Sequence, residues 1–302
     1  MKNLKGGLRH SGYLVETDWL DQNLDSPELR VFDCTVNANL NPDPDPETIR
    51  KIPFTFESGR KHFNEAHIPG AGFIDILEDI SDKMSALPMM MPSEEQFVAA
   101  MNKYGINNNS RVVLYSTTEP NWAARVWWML RSVGFDNAAI LNGGWAKWTG
   151  EGRPTSNQAC TYPPGKFTAR PRSGGFAGKD QVLNAINDPN VRLINALPPM
   201  IHAGSDGPVF GRKGRISSSV NVPYASLHDP ATGSYLSVEQ LREKFDAVHA
   251  GDAEQIIAYC GGGIASSNTA FALTLLGFNN VAVYDASMLE WGNDESLPME
   301  TD

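Results

Sequence analysis

Cysteine is scarce in this chain: Cys34, Cys160 and Cys260 are the three in 302 residues. The number is odd, no two form a C-x-x-C pair, and no histidine stands at ligand spacing, so neither a disulfide framework nor a zinc site is suggested. Long apolar runs are missing too, and none reaches the roughly 18 residues that a membrane-spanning helix needs. The stretch Met1 to Glu16 carries Lys2, Lys5 and Arg9 but no apolar core of a secretory signal, so a cytoplasmic protein is expected. Positive charge is in deficit. With 25 Lys plus Arg against 35 Asp plus Glu, the formal net charge is -10, which sets aside nucleic acid and anionic membrane surfaces as partners.

Apolar material is plentiful: 41% hydrophobic against 20% charged residues is the balance of a folded protein. Domains mostly run to about 100–200 residues, so a chain of this length is expected to hold two. A repeat supports the division. Val112 to Tyr115, a polar stretch, the apolar-periodic run Trp127 to Val133, then Gly134-Phe135-Asp136-Asn137 and Trp148 recur as Ile256 to Tyr259, a loop, Ala270 to Leu276, Gly277-Phe278-Asn279-Asn280 and Trp291. Upstream, Ser93-Glu94-Glu95-Gln96 matches Ser237-Val238-Glu239-Gln240, each a capping box that opens a helix. Leu29 to Asp33 and Val191 to Asn195 are short apolar runs of buried-strand character. Strands alternating with helices in this way imply an α/β fold, two similar domains each with a mainly parallel sheet covered by helices on both faces.

The segment 154–175 is rich in proline and glycine and reads as a connector, giving an N-terminal domain over 1–153 and a C-terminal domain over 176–302. Asn39 to Phe56, with Pro42, Pro44, Pro46 and Pro53, reads as a surface excursion of the first domain. It is either a tolerated insertion or a segment reaching over the second domain.

Cys260 follows the strand-like run Gln255 to Tyr259 and precedes Gly261-Gly262-Gly263-Ile264-Ala265-Ser266-Ser267, with a helical pattern from about Ser267. Ligands in open α/β sheets bind beyond the carboxyl ends of the strands, where this side chain must lie. A glycine-bearing loop there can turn successive N–H groups inward as an anion cradle, and the next helix aims its positive end at the same point. Such surroundings favour a thiolate and make a working nucleophile of it. The alternative is a small buried hydrophobe whose glycines merely permit tight packing, although three consecutive glycines are costly to order for that purpose alone. Cys34 is followed by Thr35-Val36-Asn37 and reads as a packed thiol, and Cys160 lies in the connector.

Strand, cysteine, glycine-bearing loop and helix in the second of two similar halves resemble the tandem-domain rhodanese family, the thiosulfate and mercaptopyruvate sulfurtransferases. Phe32-Asp33, His67-Ile68-Pro69-Gly70-Ala71, Met91-Pro92-Ser93, Arg125-Val126-Trp127-Trp128 and Leu141-Asn142-Gly143-Gly144 look like that family's recurring segments in the first half. Arg215 to Pro223 and Cys260 to Ala265 do so in the second. The resemblance covers nearly the whole chain and implies two tandem rhodanese-like domains. It also implies a mechanism: a Cys260 thiolate takes the outer sulfur of a donor, forming a persulfide, and passes it to cyanide or to a thiol such as thioredoxin or glutathione. The amides of Gly261, Gly262, Gly263, Ile264 and Ala265 would serve both half-reactions, with no metal or organic cofactor. In the first half Ser116 occupies the cysteine's place and Thr117-Thr118-Glu119-Pro120 replaces the glycines. That domain is therefore expected to be inactive and to wall the cleft, through Trp122 or the Asn39 to Phe56 excursion. Trp127 and Trp128 sit on a helix-like run and read as core.

Two departures from the family pattern shape the expected chemistry. The uncharged loop after Cys260 resembles mercaptopyruvate-preferring members, but the serine expected two places after the cysteine is Gly262. Ser266 or Ser267 is left to supply a hydroxyl or, the favoured reading, to cap the helix. The family's Asp-x-Arg after the first strand of the second domain is here Asn195-Ala196-Leu197, so Arg212, Lys213, Arg215 and His202 become the candidates to hold an anionic donor. His67 is read either as a proton shuttle or, preferably, as a residue ordering a turn. Two rival functions are a non-catalytic persulfide carrier or binding module and a Cys-dependent phosphatase. The second is disfavoured because the position that a Cys-x5-Arg loop gives to arginine holds Ser266.

Overall fold

The structure is a computed structural model that describes residues 11–41, 52–158 and 160–302. The first half contributes β1 (Leu14–Val15), β2 (Leu29–Asp33), β3 (Val36–Leu40), β4 (Phe54–Ser58), β5 (Gly72–Phe73), β6 (Arg111–Tyr115) and β7 (Ala138–Leu141). The second contributes β8 (Phe176–Ala177), β9 (Val191–Asn195), β10 (Arg215–Ile216), β11 (Val220–Asn221), β12 (Gln255–Tyr259), β13 (Val281–Tyr284) and β14 (Met299–Glu300). The first sheet runs β1-β7-β6-β2-β5 and the second β8-β13-β12-β9-β11, with every neighbouring pair parallel. Strand for strand the two orders coincide, as the sequence repeat requires.

The central strands are apolar throughout because helices cover both faces: Val112 to Tyr115 and Ile256 to Tyr259 are all buried. Both helices expected at the paired S-x-x-Q sites form, over Glu94–Lys103 and Val238–Asp246. Ser237 and Gln240 close a full capping box, whereas Gln96 turns its amide to the carbonyls of Asp79 and Ser81. In the first domain the neighbouring turn competes for that side chain, so only the Ser93 half of the box is made.

Helices Asn121–Ser132 and Ile264–Leu275 are equivalent in the repeat and pack against one another, joining the halves through a shared apolar cluster. Trp127 meets Phe271 edge to face with ring centroids 4.7 Å apart, a preferred aromatic geometry. Trp127 and Trp128 are buried at this seam rather than offered to a ligand. The connector lies extended along the first domain. Gly165 N donates to the Asn102 carbonyl at 2.7 Å and Arg170 N to that of Val133 at 2.7 Å. At its end Trp128 Nε1 donates to the Gly175 carbonyl. Among the described residues no helix is long and apolar enough to cross a membrane.

The excursion begins and returns as an antiparallel pair, β3 against β4. Positions 42–51 within it fall outside the described residues. Its returning strand reaches the second domain: the Phe54 ring lies 6.3 Å from that of Phe210, and Ile52 and Phe54 pack on the second domain's apolar cluster.

Candidate active site

Cys260 directly follows β12, is 2% exposed, and lines a cavity of about 510 Å³. Three consecutive residues hold it there. Its amide donates to Ser287 Oγ at 3.1 Å, its carbonyl accepts from Met288 N at 3.1 Å, and the Gly261 carbonyl accepts from Leu289 N at 2.8 Å. The loop's outward carbonyls are thereby satisfied by the helix Ser287–Trp291, and the loop keeps its opposite side for the cavity. No signal in the sequence marked Ser287, whose hydroxyl also donates to the Tyr284 carbonyl.

The glycines have separate reasons. A Cβ on Gly261 would lie 2.5 Å from Phe210 Cζ, so the loop can pass under that ring only without a side chain. Gly263 has φ +80, a left-handed conformation that sterically disfavours L side chains. That turn starts the helix at Ile264, three residues before the expected Ser267, because Gly263 caps it. Ile264 and Ala265 thus form the first helical turn rather than loop, and both line the cavity beside Cys260, Gly261 and Gly262.

The early start also corrects the reading of the two serines as caps. Ser266, the third residue of the helix and fully buried, donates through Oγ to Cys260 Sγ at 3.5 Å. Ser267 Oγ donates instead to the Gly263 carbonyl at 2.7 Å, a bond to the preceding turn with no part at the sulfur. Ser266 is the hydroxyl at the Cys260 sulfur.

The four side chains expected to hold an anionic donor are not brought to the cavity. Arg212 spends its guanidinium on main-chain carbonyls of the C-terminal turn: Leu297 at 2.9 Å, Trp291 at 2.9 Å and Asp294 at 2.6 Å. Arg215 pairs with Glu300 at 3.0 Å and Asp302 at 2.7 Å. Burial and the Arg215 guanidinium push His202 down to about 4, so it is neutral at physiological pH. His67 is fully buried in the first domain, stacked on Phe63 with Nδ1 2.6 Å from the Phe63 carbonyl and Nε2 3.0 Å from that of Gln158. It ties the start of the connector to the domain rather than moving a proton at the cleft. Cys34 is fully buried, its thiol pushed well up by burial and then by Asp33, which makes it the packed cysteine of the reading above.

The far wall comes from the first domain. Trp122, Asn121, Thr118 and Glu119 line the cavity, as do Phe54 and Phe56 of the excursion, so both anticipated wall elements are present. Ser116 lies outside that lining and donates to the Glu119 carbonyl at 2.6 Å. A buried ion pair braces the join: Arg125, fully buried, reaches Asp285 at 2.6 Å and donates to the Met89 carbonyl, while Asp285 also accepts from Met91 N. The pair sits directly beneath Gly263, whose added Cβ would lie 2.6 Å from Asp285 Oδ1.

The profile of the rhodanese-like domain matches residues 16–151 and again 179–294. The chain belongs to the rhodanese-like family. Its tandem form is shared by the 3-mercaptopyruvate sulfurtransferase of Escherichia coli strain K12, 31% identical over 290 residues spanning 95% of this chain and 98% of the relative. A thiosulfate sulfurtransferase of Bos taurus is 32% identical over 92% of this chain and 91% of its own length. The sulfur carrier protein TtuD of Thermus thermophilus is 31% identical over 97% and 98%. Among solved structures, the rhodanese-fold 3-mercaptopyruvate sulfotransferase SseA of Escherichia coli superposes with a TM-score of 0.76 at 29% identity, over 91% of this chain and 98% of that one. In this rhodanese-like protein the cysteine that lines the cavity, Cys260, belongs to the second domain, and residues of the first domain form the facing wall.

Proposed function

We propose that this rhodanese-like protein is a sulfurtransferase that carries sulfane sulfur on Cys260. The Cys260 thiolate attacks the sulfur of 3-mercaptopyruvate, the C–S bond breaks, and the carbon leaves as the enolate of pyruvate, which takes up a proton. The enzyme is left as Cys260–S–SH. A thiolate acceptor, thioredoxin or glutathione, or cyanide, then attacks the outer sulfur and returns Sγ as thiolate. Ser266 Oγ and the first turn of the helix Ile264–Leu275 stand where that charge resides in the resting and product states.

The observation that carries this reading is Cys260 in the lining of an interdomain cavity with a hydroxyl on its sulfur. The lining also bears on the donor. Among the described residues it contains no lysine, arginine or histidine, an environment that disfavours the thiosulfate dianion more than a monoanionic organic donor. A phosphatase would need an arginine clamp, which is absent from the lining among the described residues. A relative named as a sulfur carrier favours, as second reading, a protein that holds the persulfide for a partner instead of turning over.

The test is kcat/KM for mercaptopyruvate and thiosulfate side by side with cyanide as acceptor, Cys260→Ala serving as blank. Mercaptopyruvate is expected to be preferred, and a thiosulfate preference would show the charge argument to be wrong. A mass gain of one sulfur that appears with mercaptopyruvate and disappears with cyanide supports the covalent step. A stable gain without turnover favours the carrier.

A further inference from the structure

Glu119 lies in the loop Thr117-Thr118-Glu119-Pro120, the first-half counterpart of the glycine loop that follows the central strand of the second half. The first-domain loop lacks a nucleophile, yet it faces the same cavity, and it brings a carboxylate. Of the described residues lining the cavity, Glu119, Tyr224 and Cys260 are the titratable ones, and none is a cation. The Glu119 carboxylate has no ion-pair or hydrogen-bond partner among the described residues, and its surroundings raise its carboxyl above the usual range through burial alone. Its charge reaches the nucleophile's neighbourhood: the Tyr224 phenol is pushed up by burial first, then by Glu119 and by Cys260. Around these groups the walls are Phe54, Phe56, Trp122, Leu197, Phe210 and Leu289, so most of the surface a ligand meets is apolar.

From this arrangement we infer that the sulfur acceptor is a small thiol with an apolar body and a neutral or cationic substituent, selected by Glu119, which lines the same cavity as Cys260. The inference rests on the sulfurtransferase reading and narrows its second half-reaction to small thiols, in place of the glutathione and thioredoxin named above. A thiolate R–S⁻ attacks the outer sulfur of Cys260–S–SH, the bond between the two enzyme-borne sulfurs breaks with its electron pair going to Sγ, and R–S–SH leaves with the proton still on its outer sulfur. A substituent bearing negative charge brings that charge against an unpaired carboxylate in a cavity whose described walls hold nothing to neutralise it. A positive one gains the same interaction with opposite sign. The apolar body is desolvated against the aromatic walls.

The experiment separates this half-reaction from the donor question. The persulfide is installed with inorganic polysulfide, whose terminal sulfur is taken by the Cys260 thiolate as the polysulfide shortens by one sulfur, so the loaded protein is obtained whichever donor is physiological. Single-turnover transfer is then timed with cysteamine, mercaptoethanol, mercaptopropionate and phenylethanethiol, each rate divided by the thiolate concentration present. The expected order places cysteamine above mercaptoethanol above mercaptopropionate, with roughly tenfold between the ends of the charge series at low salt and less at high salt. Phenylethanethiol exceeds mercaptoethanol. In Glu119→Gln the charge ordering collapses while the phenylethanethiol advantage stays. Mercaptopropionate matching or exceeding cysteamine, a charge ordering that survives Glu119→Gln, or phenylethanethiol falling to the mercaptoethanol rate would overturn the inference. Failure of mercaptopyruvate to load Cys260 would count against the donor reading alone.

Discussion

Two adjacent serines with different partners allow the chemistry at Cys260 to be dissected. Ser266 Oγ donates to Sγ at 3.5 Å, and Ser267 Oγ to the Gly263 carbonyl at 2.7 Å, and both side chains are fully buried. A hydrogen bond to a charged group contributes about 1.5–3 kcal/mol, and a sulfur acceptor at this distance belongs at the lower end, about 1.5 kcal/mol, or roughly tenfold in rate. Ser266→Ala removes it with little change of volume. The two half-reactions respond unequally. In transfer to the acceptor, Sγ leaves as a thiolate and the developing charge loses its donor, so the whole factor of about ten appears. In loading, the thiolate itself loses the donor but becomes more nucleophilic for it. With a Brønsted coefficient near 0.4–0.5, about half of the loss is returned, leaving roughly threefold. Rapid-quench mass measurement of the persulfide, with mercaptopyruvate for loading and cyanide for discharge, reads the two steps separately. Ser267→Ala serves as the control, with both rates close to wild type. Loading slowed as much as transfer, or Ser267→Ala equalling Ser266→Ala, would refute the assignment of Ser266 to the sulfur.

Two further outcomes follow from the fold around the site. Gly263→Ala places a Cβ at φ +80 and 2.6 Å from Asp285 Oδ1. The left-handed strain alone costs about 1–2 kcal/mol, read as a lower urea midpoint, and displacement of the loop should reduce kcat/KM by on the order of a hundredfold even where the protein remains folded. His228 is pushed down to about 4 by burial, against the opposing hydrogen bonds of Asn268 and Gly233. Its neutral form is the folded one, so the unfolded chain binds the extra proton below its ordinary value. Stability from this residue is complete above about pH 6.5 and is lost as pH falls towards 4, by up to about 3 kcal/mol. Buried Asp33, raised by burial to about 6, acts in the opposite direction: the folded state holds its proton up to that pH, so this contribution weakens as pH rises from its ordinary value to about 6. Urea titrations of wild type and His228→Gln at neutral pH and at about pH 4.5 cancel the Asp33 contribution and isolate that of His228. Equal pH slopes for the two proteins would show that its protonation is not coupled to folding.

What the sequence disclosed and what it hid divide along a physical line. The strand Gln255–Tyr259, its cysteine and the glycines after it are legible because each is a local signal: an apolar run, a nucleophile and residues suited to a strained turn. The likeness of the two sheets was implied by the repeat, since two similar halves must solve the same packing problem, but their strand order was not. The helix start was misplaced because Gly263 reads as one more loop residue, although its left-handed turn is what begins the helix, and misplacing the start made Ser266 look like a cap. Arg212 and Arg215 were expected at the donor because they stand in a suitable stretch of the second half. Their partners are carbonyls and carboxylates in the last dozen residues, a tertiary pairing that no local pattern announces. The same holds for the cavity itself. Its nucleophile and its acidic wall occupy equivalent loops in opposite halves, joined because the two copies of one helix pack together across the seam. The first-domain loop holds Ser116 where the second holds Cys260, and it lines the cavity through Thr118 and Glu119. Glu119→Gln is accordingly predicted to alter the order of acceptors while Cys260 still loads with sulfur.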